Sequence, residues 1–230
     1  MPDASDFYSS APMRILLAHE LAALAPILSD VYGNYGLILR PGAQLEAGLP
    51  AHLLGKTVEL ALGEKGLLLG AVRCAPWQLP FANESFQLLV AQHVFEHIDD
   101  SAACAAEAAR VLAPEGTALI FGFNPLGMWR PWLARRARGL RVQSAQAWRM
   151  MLAREQIDTL QVRFPGLLWP RASAQPGSRG DAETRLARWG SSWLLIARKR
   201  RSMLTPLRLR NAREVVRAPR LAPNAHRNCA

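Results

Sequence analysis

Residues 92–100, Gln-His-Val-Phe-Glu-His-Ile-Asp-Asp, place two histidines and a glutamate in the order His93-x-x-Glu96-His97. On a helix, that spacing turns two imidazoles toward one metal ion and sets a carboxylate beside them to activate water, the inverted form of a zinc-hydrolase signature. The reading depends on there being a helix. His93 follows Phe86–Ala91, an apolar run of strand length, and Asp99-Asp100-Ser101 offers cap chemistry for a new helix just beyond. Roughly five residues separate strand from cap, too few for a zinc-binding helix with its own support. A third ligand is also needed, and Glu107 is better accounted for by Arg110 three residues on, a surface ion pair. The stretch is expected to be strand exit, loop and cap, with no metal.

The chain that must position these residues has 230 amino acids, 50% hydrophobic, with a mean hydropathy of zero, which suits one globular domain. Its apolar runs fall short of the ~18 residues of a membrane span. The first twelve residues hold two acids and no hydrophobic stretch, so no signal peptide is expected. Cys74, Cys104 and Cys229 show no C-x-x-C spacing, and reduced thiols in the cytoplasm are the expectation. The net charge of +10 is concentrated at one end: residues 198–230 carry ten Arg or Lys against Glu214, and the rest of the chain nets +1. With Pro206, Pro219 and Pro223 and no periodicity, this tail reads as disordered. It is either a solubilising terminus or an arm for nucleic acid or anionic lipid. The organisation expected is an N-terminal arm (1–12), a domain (13–198) and a basic tail (199–230).

Periodicity supplies the elements. Leu17, Leu21, Leu24, Leu28 and Val31 recur at steps of four and three, which predicts a helix over 13–32 between Pro12 and Gly33. Residues 35–42 read as a short strand ended by Pro-Gly, and 57–72 as a hairpin or two closely joined strands. A strand at 86–91, a helix at 101–112 closed by Pro114-Glu115-Gly116, and a strand at 117–123 follow. Helices are expected at 126–138, with Trp129, Trp132 and Leu133 on one side, and from Ser144 to about 155. Residues 159–164 alternate, with Leu160, Val162 and Phe164 on one face; 165–190 are irregular; 192–197 form the last strand. Strands alternating with helices predict an α/β domain around a mostly parallel sheet, with ligands beyond the carboxyl ends of its strands.

Five blocks in this order, LPF (79–81), NESF (83–86), VFEHIDD (94–100), E-x-x-RVL-x-P-x-G (107–116) and TALIFGF (117–123), resemble the second half of the type-11 class I methyltransferase domain. The resemblance is close over 75–124 and extends by element order over about 35–198; GFNPLGMWR (122–130) and SWLLIARKR (192–200) are similar to a small bacterial branch. It implies a Rossmann-like, doubly wound, seven-stranded α/β fold, a mostly parallel sheet with helices on both faces. It also implies methyl transfer from S-adenosylmethionine to an acceptor, expected to be a small molecule. Cofactor contacts carried over by position are Gly42, Ala75, Pro76, Trp77, Gln92 and His93. Gly42 is the one usable glycine of a degenerate loop behind Arg40 and Pro41, and Ala75 stands where the family places an aspartate for the adenine amino group. Trp77 could stack on adenine; Glu59 and Glu64 are the candidates for the ribose hydroxyls. His93 is either a base for an acceptor that loses a proton or a hydrogen-bonding strand exit. His97 is expected to pack against the next helix, and Asn124 to form a turn or meet the acceptor. The alternative is a protein of this fold without cofactor, acting as an interaction or nucleic-acid-binding module through its basic tail, residues 198–230.

Overall fold

The computed structural model describes residues 7–42, 49–63, 66–137, 139–170 and 187–201. The loop segment 43–48, Glu64 and the basic tail beyond 201 lie outside the described residues, so those expectations are left where they stand. In chain order the elements are α1 (Ala11–Leu28), β1 (Tyr32–Arg40), β2 (Leu53–Leu62), β3 (Leu68–Gly70), β4 (Phe86–Gln92), α2 (Ser101–Val111), β5 (Leu112–Phe123), α3 (Arg130–Arg136), α4 (Ala145–Arg154), β6 (Ile157–Arg163) and β7 (Ser192–Lys199). The strands form one seven-stranded sheet in the order β3-β2-β1-β4-β5-β7-β6. β2, β1, β4 and β5 are parallel neighbours, while β3 and β7 run against them. This is the Rossmann-like α/β fold expected, with β2 and β3 joined as a hairpin.

The two-residue period of the central strands sorts the core into two layers. Leu88 and Val90 of β4, Leu119 and Phe121 of β5, and Leu194 and Ile196 of β7 face Leu21, Leu24 and Leu28 of α1. Their neighbours Leu89, Ala91, Ile120 and Leu195 face the other way, onto Cys104 and Ala108 of α2 and Trp148 and Leu152 of α4. Each buried leucine contributes roughly 1.5–3 kcal/mol. β4 is buried on both faces, which is why its sequence is a continuous apolar run and not an alternating one. Asp100 caps α2 by accepting from the Ala103 N–H at 2.9 Å, and Ser144 caps α4 from Ala147 at 3.2 Å.

Four boundaries depart from the sequence expectation, each for a local reason. The first helix ends at Leu28, because pairing of β1 with β2 already begins at Tyr32↔Leu53. Residues 113–116 do not end a helix. They lie within β5, where the register jumps between Phe86↔Leu112 and Leu88↔Thr117 and Glu115 takes φ 63°. In β6 the register also shifts between Thr159 and Gln161, which turns Leu160 out to solvent, 62% exposed, while Val162 and Phe164 stay against the core. α3 starts at Arg130, since Asn124 first ties a turn through Leu126 and Gly127.

α1 is also long and apolar enough to cross a membrane by length and composition, with a hydropathy of 1.4 over its 18 residues, a stretch the sequence reading passed over. In the fold its stripe Met13, Leu16, Leu17, Leu21, Leu24 and Leu28 is buried. Phe7 and Tyr8, inside the stretch read as an arm, are buried with Phe123 and Trp129.

Trp193 of β7 lies flat over Gly122, and its indole N–H donates to the Phe123 carbonyl at 3.1 Å and the Gln143 carbonyl at 3.0 Å. A Cβ on residue 122 would fall inside that ring. Gly122→Ala is therefore expected to lower unfolding stability by about 1–3 kcal/mol, the cost of overpacking a filled core. Urea denaturation followed by tryptophan fluorescence measures it, and an unchanged midpoint would show that the ring moves aside freely.

Candidate functional site

β4 delivers its last residue, Gln92, to the carboxyl edge of the sheet, and the chain then turns. His93 adopts the left-handed backbone, φ 50°, which side-chain-bearing residues seldom take. Phe95–His97 form a single 3-10 turn, and Ile98 is extended before the Asp100 cap. His93 and His97 are thus not on one helical face.

The His93 ring is wholly buried between two carboxylates on opposite sides. Its Nδ1 lies 2.9 Å from Glu96 Oε2, and its Nε2 lies 3.0 and 3.1 Å from the two oxygens of Glu20 on α1. Phe123 stacks on the ring at 4.0 Å between centroids. Glu20, itself buried, also accepts from Gln92 Nε2 at 3.0 Å. The second oxygen of Glu96 accepts from the Phe123 backbone N–H. His97 Nε2 is 2.8 Å from the Tyr8 hydroxyl, which also lies 3.4 Å from the His93 carbonyl oxygen.

Burial by itself would lower the pKa of His93, but the Glu20 and Glu96 carboxylates outweigh it and raise the value from 6.5 to about 10. The ring is an imidazolium that donates both N–H groups. His97 moves the other way, to about 4, through burial and then through the neighbouring His93 charge, so it is neutral and can accept from Tyr8. Burial, followed by Glu96 and Glu20, holds the Tyr8 phenol well above its ordinary value. The cluster is one buried cation between two buried anions, with the remaining carboxylate oxygens satisfied by an amide and a backbone N–H.

This places the residues singled out in the sequence. His93 has no lone pair to offer while Glu20 and Glu96 hold it, so in this arrangement it is not available as a base. Gln92 and His93 turn their side chains to α1. His97 points to Tyr8 and not to α2 alone. Glu107 pairs with Arg110 at 2.7 Å and accepts from the Leu79 N–H at 2.6 Å. Glu59 is held by Arg40 at 3.3 Å at the end of β1. Asn124 makes its turn and donates to the carbonyls of Arg188 and Gly190. Trp129 and Trp132 sit with Phe7 and Leu133 in the core. Among the described residues no group of three or more His, Cys, Asp or Glu could hold a metal ion.

Glu20 was missed by the sequence reading. Its signal was present: it lies three residues after Leu17 and four before Leu24, on the buried stripe of a helix where a lone carboxylate needs a partner.

Two hollows flank the 95–99 turn. One, of about 390 Å³, lies beyond the carboxyl ends of β2 and β4 and is lined by Gly66, Trp77, His97, Ile98, Asp99, Asp100 and Ala103. Trp77 is half exposed there, next to buried Pro76 and partly buried Ala75. The other, of about 350 Å³, opens at the end of β5 between α3 and residues 140–142. Both are within the ~300–1,000 Å³ typical of small-molecule sites. A larger hollow around Arg110, Glu155 and Lys199 lies at the opposite edge, where β4 starts and β7 ends.

Residues 54–120 match the model of the Methyltransf_11 family, described as a methyltransferase domain. No curated protein matches the chain. Among solved structures, a candidate methyltransferase in complex with the Haloferax volcanii Trm112 methyltransferase activator is 15% identical, with a TM-score of 0.58, covering 80% of this chain and 90% of that one. A candidate methyltransferase from Bacillus halodurans C-125 gives 18% and 0.56, over 79% and 99% of the two chains. An S-adenosylmethionine-dependent methyltransferase from Mesorhizobium loti gives 18% and 0.55, over 84% and 100%. At these identities the likeness is one of fold: the chain has the methyltransferase fold, and the family match begins after β1.

The two histidines set opposite pH limbs. His93 is raised in the fold, so its stabilisation is complete below about pH 6.5 and is lost as pH rises through about 10. His97 is lowered, so the fold loses stability as pH falls from about 6.5 to about 4. Glu20→Gln is expected to cost about 3–5 kcal/mol at neutral pH, as when one partner of a buried pair is removed, and to shrink the alkaline limb. His97→Gln should flatten the acid limb. Urea midpoints from pH 4 to 10 test both; a Glu20→Gln curve parallel to the wild type would disprove the buried imidazolium.

Proposed function

We propose that the chain is an S-adenosylmethionine-dependent methyltransferase acting on a small-molecule acceptor, with the donor held in the hollow beside Trp77. The observation that carries this is the coincidence of that hollow with the carboxyl ends of β2 and β4, inside the stretch that matches the methyltransferase domain. The residues present fit the donor. The Trp77 ring offers a face for adenine, with Ile98 and Ala103 beside it. Asp99 and Asp100 are the carboxylates of the hollow and suit hydroxyl or cationic groups. Gly42 is buried at the exit of β1, and a Cβ there would meet nothing within 4 Å among the described residues. Glu59, tied to Arg40, is not the ribose partner under this reading, and Ala75 leaves the adenine amino group to Asp99 and Asp100.

When bound, the cofactor supplies an activated methyl group on a sulfonium. The protein's part is orientation and exclusion of water. His93 contributes by position: it fixes the 93–97 turn, and with it the wall between the two hollows. His93, held on both ring nitrogens by carboxylates, is not the residue to take a proton there, so the acceptor best suited is one whose attacking atom is already deprotonated at neutral pH.

Calorimetric titration with S-adenosylmethionine and S-adenosylhomocysteine is the test. Saturable heat is expected with both, together with a thermal shift, and Trp77→Ala should weaken binding about tenfold through loss of stacking. Absence of heat and of a thermal shift at millimolar ligand would remove the proposal.

A further inference from the structure

The hollow at the end of β5 combines two chemistries. Leu133, Ala137, Leu140 and Val142 make it apolar, and the guanidinium groups of Arg130 and Arg141 line it as well. Its surroundings are more one-sided than the charge of the whole domain suggests. Residues 124–154, which include α3, α4 and the connection between them, hold seven arginines and no aspartate or glutamate. Arg135, Arg136 and Arg149 are exposed on this segment alongside the two that line the hollow. Such a field attracts anions and repels cations before any contact is made.

Arg141 is also placed to receive an anion. Its backbone N–H donates to the Glu96 carbonyl at 2.8 Å, which fixes residues 140–142 against the buried cluster. Its guanidinium meets Asp99 at 2.6 Å, and that carboxylate is 89% exposed. An ion pair so open to water is weakly held, and the guanidinium can exchange Asp99 for the carboxylate or phosphate of a ligand in the same planar geometry. Arg130, exposed, donates to the Pro125 carbonyl at 3.2 Å.

We infer that this hollow binds an anion carrying an apolar body, a carboxylate or phosphate on an acyl or aryl group, and that such a molecule is the class of acceptor. The assignment as acceptor rests on the methyltransferase reading above; the binding itself does not. Asp99 lines the hollow beside Trp77, so the Asp99–Arg141 pair stands between the two hollows. An acceptor that is itself anionic also needs no base from the protein.

The test uses the full chain and titrates octyl phosphate below its micelle concentration, with octyl glucoside, inorganic phosphate and phosphatidylglycerol vesicles in parallel. Octyl phosphate is expected to bind at least tenfold more tightly than octyl glucoside or inorganic phosphate. Arg130→Ala and Arg141→Ala should each weaken it about fivefold or more, Ala134→Trp should block it by filling the hollow from its exposed rim, and Arg154→Ala, on the same segment but outside the hollow, should leave it unchanged. These are surface positions, and far-UV circular dichroism checks that each variant is folded. Equal binding of octyl glucoside, equal binding of inorganic phosphate, or indifference to both arginine variants overturns the inference. So does binding to vesicles without binding to the monomeric ligand, which would mark a lipid-docking surface. Titration of S-adenosylmethionine on the same samples separates the two readings. A chain that binds it but not octyl phosphate keeps the methyltransferase reading and loses this one; a chain that binds only octyl phosphate keeps the hollow and loses the acceptor assignment.

Discussion

Glu20 is charged, buried and on the N-terminal helix, and a carboxylate in that position is tolerated only if something meets it there. His93 does so, and in doing so draws in Glu96 on its other side, Phe123 on its face and Gln92 beside it. The rest of the molecule is arranged around that requirement. β4 has to end where it does, the chain has to turn through an unfavourable backbone angle at His93, and β5 has to present its last N–H to Glu96. The net stability of α1 on the sheet comes from its leucines, each worth roughly 1.5–3 kcal/mol. The polar cluster decides something the leucines cannot: which end of the helix sits over which end of the sheet. An apolar stripe slides at small cost, whereas a slide of one turn here would strand a charge.

The same cluster separates two sites. The 95–99 turn that carries Glu96 has the Trp77 hollow on one side and the arginine-lined hollow on the other, and Arg141 is pinned to it through the Glu96 carbonyl. A methyl transfer between two bound molecules demands that their mutual geometry be set to within a fraction of an ångström. Under the proposed methyltransferase reading, the turn held by the buried ion triad is the partition between donor and acceptor. The strain at His93 is consistent with such a role, since an unfavourable backbone angle persists only where surrounding bonds determine it.

Much of the fold was legible because it follows from short-range pattern. The continuous apolar run of β4, the Asp100 and Ser144 caps and the Glu107–Arg110 pair are all visible within a few residues of sequence. The bulges at 113–116 and at Leu160 were not, because a bulge is a property of two strands and only one is seen at a time. The site was legible to the same degree. The segment 93–97 could be recognised as a strand exit and not a helix, but the partner that its histidine meets lies 73 residues away. Glu20 in a leucine stripe signals a buried charge without saying what neutralises it, and without that knowledge His93 looks like a base and not like a cation. The charge balance misled in a similar way: a near-neutral total concealed an acid-free arginine segment, because charges were summed along the chain and not by surface.

The separation between Glu20 and its partners also bears on how the chain comes into being. During synthesis α1 leaves the ribosome before its partners: His93 and Glu96 follow more than seventy residues later and Phe123 later still. Until then Glu20 has only water, and the leucine stripe in which it sits has no sheet to cover it. A chain of that length cannot bury this face of α1 without stranding Glu20, since burying the carboxylate alone is unfavourable. The seat of α1 on the sheet is thus a contact of long sequence separation, complete only when residues 93–123 are present.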